Sequence, residues 1–225
     1  MNKNKICVFD FETDGRDVGT LSPVQLAAVI VDPRKLELVN KAEFNSFMKP
    51  EGIDKKNYVD KNRATIEWHA NIRKCTIDEI LELWKNAPPQ KNVWANFIEF
   101  LGKFHKVGQR KTKFSAPIAC GYNIHNFDLP IVERLCAKHS KSKEIFHPRD
   151  KLDLMHWMFP WFENSTEVTS YSMDNMREYL GMSSANAHDA LQDVRDTASL
   201  LCRFLRLYRR TAKMVRFKGS FANTE

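Results

Sequence analysis

The sequence contains no apolar run approaching the ~20 residues that cross a bilayer. Its opening, Met1-Asn2-Lys3-Asn4-Lys5, leads straight into a strand-like segment and not into a signal-peptide hydrophobic stretch. A soluble, cytoplasmic chain in a reducing compartment is therefore expected. Cysteines are few and odd in number: Cys7, Cys75, Cys120, Cys136 and Cys202, scattered and mostly within apolar stretches. That argues against a disulfide framework and for reduced core thiols. Cys136 and His139 are near neighbours, but no second Cys/His pair completes a zinc set. The absence of internal repeats or low-complexity tracts excludes solenoid and repeat architectures.

What is present suits one globular domain. The 225 residues are 43% hydrophobic and 28% charged, enough for a sizeable core. The net charge of +7 favours a polyanionic partner, because Lys and Arg displace condensed counterions from nucleic-acid phosphates. Three opening strands, 5–11, 24–31 and 36–48, read as an antiparallel meander with Asp32-Pro33-Arg34-Lys35 as a turn. The segment 50–114 is polar and helix-prone. It holds a short helix with Ile80, Leu81, Leu83 and Trp84, the breaker Pro88-Pro89, and an amphipathic helix with Val93, Trp94, Phe97, Phe100, Leu101 and Phe104. An exposed basic loop at 108–113 precedes a buried strand at 116–120 and a helix near 128–139. A last helix over about 190–210 buries Leu191, Val194, Ala198, Leu201, Cys202 and Leu205. The domain is therefore placed at 1–210, followed by a basic, flexible tail at 211–225. The five tryptophans are assigned to core packing, and Arg195, Arg203, Arg206 and Arg210 to a solvated face.

Against this basic background stand four acids and one histidine. Asp10 and Glu12 end the apolar run Ile6-Cys7-Val8-Phe9, and strand residues two apart share a face, so both carboxylates can hold the same cation. Asp128 lies in Gly121-Tyr122-Asn123-Ile124-His125-Asn126-Phe127-Asp128-Leu129-Pro130. Pro130 is tolerated only in a helix's first turn, so Asp128 sits at a loop-to-helix junction. In Ala187-His188-Asp189-Ala190-Leu191-Gln192-Asp193, Asp189 and Gln192 have the spacing of an N-cap and its N3 partner. His188 then precedes the helix and Asp193 belongs to its first turns. If these carboxylates converge, their repulsion demands cations. An all-oxygen donor set selects hard ions, magnesium or manganese, and two of them suit phosphodiester hydrolysis. Imidazole at His188 suits the role of general base. Each piece alone is commonly a cap, a turn or a surface residue; three motifs in order, roughly 115 and roughly 60 residues apart and each in the expected local context, favour the site.

At these residues the sequence resembles the DEDDh family of 3′-to-5′ exonucleases, which includes polymerase proofreading subunits, RNase T, oligoribonuclease and exonuclease I. The resemblance runs from about Lys5 to Tyr208 and is carried by Phe9-Asp10-Phe11-Glu12-Thr13, Gly121-Tyr122-Asn123 with Phe127-Asp128, and His188-Asp189-Ala190-Leu191 with Asp193 and Thr197. It implies an α/β, RNase-H-like mixed sheet flanked by helices. Asp10, Glu12, Asp128 and Asp193 would be metal ligands for two Mg2+ or Mn2+ ions, with His188 as general base. Thr13, Leu21, Asn123 and Phe127 are implied to line the slot for the terminal nucleotide, with Val18 as an alternative to Leu21. The stretch Ser22 to Val29 is similar to the family's second strand, with Gln25 where many members carry glutamate. The implied activity is 3′-to-5′ hydrolysis of single-stranded DNA, releasing nucleoside 5′-monophosphates, with a polymerase or replication complex as a candidate partner. RNA 3′-end trimming and a non-catalytic nucleic-acid or replication-complex binding module are the alternatives.

Overall fold

The computed structural model describes residues 5–104, 117–140, 145–146, 151–183 and 189–215. Strand β1 (Ile6–Thr13) is central to a five-stranded sheet. It pairs antiparallel with β2 (Pro23–Asp32), which pairs antiparallel with β3 (Glu37–Phe47), so the expected meander is present. On its other edge β1 pairs parallel with β4 (Ile118–Gly121), which pairs parallel with β5 (Lys151–Asp153). The order is β3-β2-β1-β4-β5, a mixed sheet.

Strand periodicity divides the core in two. Cys7, Phe9 and Phe11 of β1, with Leu26, Ala28 and Ile30 of β2, face one layer of helices. That layer is α3 (Gln90–Gly102), contributing Val93, Trp94, Phe97 and Leu101, and α4 (Asp128–His139), contributing Ile131, Val132, Leu135 and Cys136. The opposite register, Ile6, Val8, Ala27, Val29 and Val31, packs on α7 (Ala190–Met214) through Val194, Ala198, Leu201 and Cys202. Leu154 and Met158 of α5 (Leu154–Phe162) and Met176 of α6 (Met173–Tyr179) complete that layer. A third, smaller cluster joins α1 (Tyr58–Arg73) and α2 (Ile77–Asn86) around Ile66, Ile80, Trp84 and Val24.

Local chemistry explains the helix starts. Asp189 caps α7 by accepting a hydrogen bond from the Gln192 amide, 3.1 Å, but the Gln192 side chain turns to Asp196, so only half of the capping box forms. Thr76 and Glu79 make a complete box on α2. α7 runs to Met214, four residues beyond its expected end, because Thr211-Ala212-Lys213-Met214 contains no helix breaker. The remaining tail and the basic loop expected at 108–113 lie outside the described residues. Among the described residues, no helix is long and apolar enough to cross a membrane. None of the five cysteines forms a disulfide.

The close approach of the end of β4 to its neighbour β1 leaves no room at Gly121. A Cβ there would lie 2.1 Å from Ile124 Cγ2 and 2.9 Å from the Phe9 carbonyl oxygen. Gly121→Ala is therefore expected to destabilise the fold by about 1–3 kcal/mol or more, the usual cost of overpacking, read as a lower urea midpoint at unchanged slope.

Candidate active site

The alternation that buries Ile6 and Val8 against α7 also sends Asp10 and Glu12 toward that helix, where Asp193 occupies the first turn. One carboxylate oxygen from each of Asp10, Glu12 and Asp193 lies within 4.8 Å of the other two. Asp128 opens α4 and is buried, and its Oδ1 accepts the Phe11 amide hydrogen at 3.0 Å, between the two β1 acids. The four expected acids thus approach one another from three elements far apart in sequence.

Electrostatics at this point oppose ionisation. Burial, then the Asp193 charge, raise the Asp10 pKa to about 7, against a lowering by Arg177. Glu12 is pushed well above the usual carboxylate range by burial, Asp10 and Asp193, with Arg73 pulling the other way. Asp128 is raised by burial and by Asp10, opposed by its bond from the Phe11 amide. A close group of half-buried and buried oxygen donors resisting its own charge fits hard divalent cations.

Arginine supplies part of the compensation. Arg177 of α6 is 2% exposed and meets Asp193 at 2.5 Å, Asp174 at 3.2 Å and Asp196 at 3.3 Å. Sequence reasoning missed it, since a single arginine in a seven-residue helix carries no periodic signal. Arg73 donates to Gln25 Oε1 at 2.7 Å and lies over the Phe47 ring, with its guanidinium carbon 4.9 Å from the ring centroid. The glutamine at the departure from the family pattern is thereby tied to a cation. The solvated face assigned to α7 is partly engaged: Arg195 pairs with Glu43 through two bonds, and Arg206 donates to the Leu36 carbonyl.

A cleft of about 260 Å³ opens beside Glu12, lined by Phe11, Thr13, Arg16, Thr65, Trp68 and Phe127. Thr13 and Phe127 therefore stand where a terminal nucleotide could enter. Leu21 and Asn123 do not line it. Leu21 is 4% exposed, packed into the core and beside a separate cavity with Lys55, Lys61, Arg134 and Lys138. Asn123 adopts a left-handed backbone (φ 60°), and its amide is held by Asp153 at 2.8 Å. Val18 is partly buried against the core. Trp84 and Trp94 are core residues as expected, but Trp68 is 36% exposed on the cleft wall. Its neighbour His69 is buried and hydrogen-bonded through Nε2 to the Thr13 carbonyl at 2.9 Å, fastening α1 to the end of β1. His188 lies outside the described residues.

The sequence pattern of the RNase_T exonuclease family matches residues 7–201. The chain belongs to this exonuclease family. The match agrees with the resemblance carried by the acidic motifs, and the mixed sheet flanked by helices is the RNase-H-like fold of DEDD-type exonucleases. No curated protein sequence matches the chain. Among solved structures, E. coli exonuclease I in complex with a dT13 oligonucleotide is similar at TM-score 0.65 and 17% identity, covering 92% of this chain and 43% of that one. Exonuclease I from Methylocaldum szegediense gives TM-score 0.64, 18% identity and coverage of 92% and 41%. Cell-death related nuclease 4 gives 0.61, 16%, 91% and 64%. The chain thus spans less than half the length of the exonuclease I structures, and at these identities the likeness concerns the fold of this RNase_T family member.

Two outcomes follow for the protein in the presence of a chelator. Folded Asp10 keeps its proton up to about pH 7, whereas an unfolded aspartate releases it near 3.8, so the folded state binds more protons across that window. Stability should therefore fall as pH rises through it, and added magnesium should raise the melting temperature more at pH 8 than at pH 5. Arg177→Met should cost about 1–3 kcal/mol in chelator-treated protein, because it leaves the half-buried Asp193 and Asp196 carboxylates without their guanidinium partner. Part of that loss should return with magnesium in a urea titration.

Proposed function

We propose that this chain is a metal-dependent 3′-to-5′ exonuclease that trims single-stranded DNA and releases nucleoside 5′-monophosphates. The observation that carries the reading is the approach of Asp10, Glu12, Asp128 and Asp193 from separate elements beside a cleft bearing an exposed tryptophan. Exonucleases of this family depend on divalent metals. Asp10, Glu12, Asp128 and Asp193 would hold two ions, Mg2+ or Mn2+, which when bound lower the pKa of water and offset phosphate charge.

The chain's own residues do the rest. His188, just before the Asp189 cap, accepts the proton of the attacking water; the water oxygen bonds to phosphorus and the 3′-oxygen of the preceding nucleotide leaves. Trp68 and Phe127 offer aromatic faces to the terminal bases, and Thr13 borders the sugar. Arg177 holds Asp193 in place and limits the repulsion that an empty cluster would feel. Support for a DNA substrate comes from similarity to exonuclease I bound to oligodeoxynucleotides. A replication or polymerase partner is a further part of the proposal, and five cysteines without a disulfide suit a reducing, cytoplasmic setting.

The test is digestion of 5′-labelled, matched DNA and RNA oligomers with magnesium. Asp10→Ala combined with Glu12→Ala should abolish metal-dependent release while leaving the fold intact by circular dichroism. His188→Ala should lower kcat by about 10²–10⁴-fold with metal and strand binding retained. Trp68→Ala should weaken strand binding by about 1–3 kcal/mol. Faster trimming of RNA would reverse the substrate, and a wild-type chain without nuclease activity would leave a binding module.

A further inference from the structure

A second group of ligand-type side chains lies on the loop and helix that follow β4 and β5. One donor atom each from His125, Asp153 and His156 lies within 4.8 Å of the other two. None of the three belongs to the carboxylate cluster. They escaped the sequence reading because 28 residues separate His125 from Asp153, and the spacing resembles no zinc pattern.

Asp153 is 2% exposed and caps α5. Its Oδ1 accepts the amides of Asn123 at 2.8 Å and Met155 at 3.1 Å; its Oδ2 accepts the His125 amide at 3.1 Å. A carboxylate offers about four acceptor positions, so these three amides leave one, on Oδ2. That position faces His125 Nδ1, 3.2 Å away. The His125 and His156 rings lie nearly parallel, 11° apart with centroids at 5.3 Å, and both residues are exposed. A buried carboxylate, oriented by backbone amides, therefore forms the floor beneath two solvent-facing imidazoles.

We propose that His125, Asp153 and His156 form a binding site for one divalent transition ion of the zinc class. Two imidazole nitrogens and one carboxylate oxygen make a three-ligand set, with the fourth position of a tetrahedron left to water. Imidazole donors distinguish it from the all-oxygen cluster, which takes harder ions. On binding, the hydrogen on His125 Nδ1 moves to Nε2, and the ion takes its place opposite Oδ2. The backbone amides on Asp153 supply the outer hydrogen bonds that fix a metal-ligating carboxylate. The ion would tie the loop leading to Asp128 to the start of α5.

The experiment uses the full chain carrying Asp10→Asn and Asp193→Asn, so that the outcome does not depend on the nuclease reading, with wild type in excess magnesium as a parallel. Cobalt(II) is titrated and followed by its visible absorption, then displaced with zinc(II). One equivalent should bind with the intense bands of a nitrogen-ligated tetrahedral ion. His125→Gln and His156→Gln should each weaken binding by about tenfold or more, and His156→Gln should leave metal-free melting unchanged. Absence of stoichiometric binding in both backgrounds would overturn the site. So would equal affinity in the His156→Gln variant.

Discussion

Repulsion among carboxylates is the constraint around which this molecule is organised. Asp10, Glu12 and Asp193 face one another on the α7 side of the sheet, and Asp128 reaches the Phe11 amide from the loop beyond β4. Charge held this close and this far from water is unfavourable without cations. The protein meets the requirement in two ways. A buried guanidinium, Arg177, pairs with the helix-borne acid Asp193. Glu12 borders the cleft lined by Thr13, Trp68 and Phe127, and under the proposed function bound cations would supply the rest of the balance.

The surrounding architecture follows from holding those oxygens still. β1 is paired on both edges, antiparallel to β2 and parallel to β4, so the backbone carrying Asp10 and Glu12 has little freedom. Gly121 lets β4 approach the Phe9 carbonyl closely, and the loop that follows is fastened by Asp153 through the Asn123 and His125 amides. Asp128 therefore arrives on a segment anchored at both ends. Rigid framing of this kind places catalytic groups without asking them to order themselves on substrate binding.

Much of this was legible before the coordinates. Alternation along Ile6 to Glu12 put both acids on one face, Pro130 marked the start of α4, and Asp189 marked the cap of α7, because each depends on local backbone chemistry. What stayed hidden depends on long-range packing. Arg177 reads as an ordinary polar helix residue until α6 is docked on α7, and Trp68 looks like core until α1 is set against the end of β1. Leu21 went to the core and Asn123 to a left-handed turn. The conformation of the chain after Thr13 decides which side chain reaches the cleft, and no spacing encodes it.

The α1–α2 pair carries a consequence of its own. It coheres around Ile66, Ile80 and Trp84 as a small core distinct from the two that sandwich the sheet. Trp68 thus rides on a helix pair tied to the sheet at a few points: Val24, the His69–Thr13 bond and the Arg73–Gln25 bond. Substitution or lengthening away from those ties would reshape the cleft wall that carries Trp68 without moving β1, on which Asp10 and Glu12 are held by pairing on both edges.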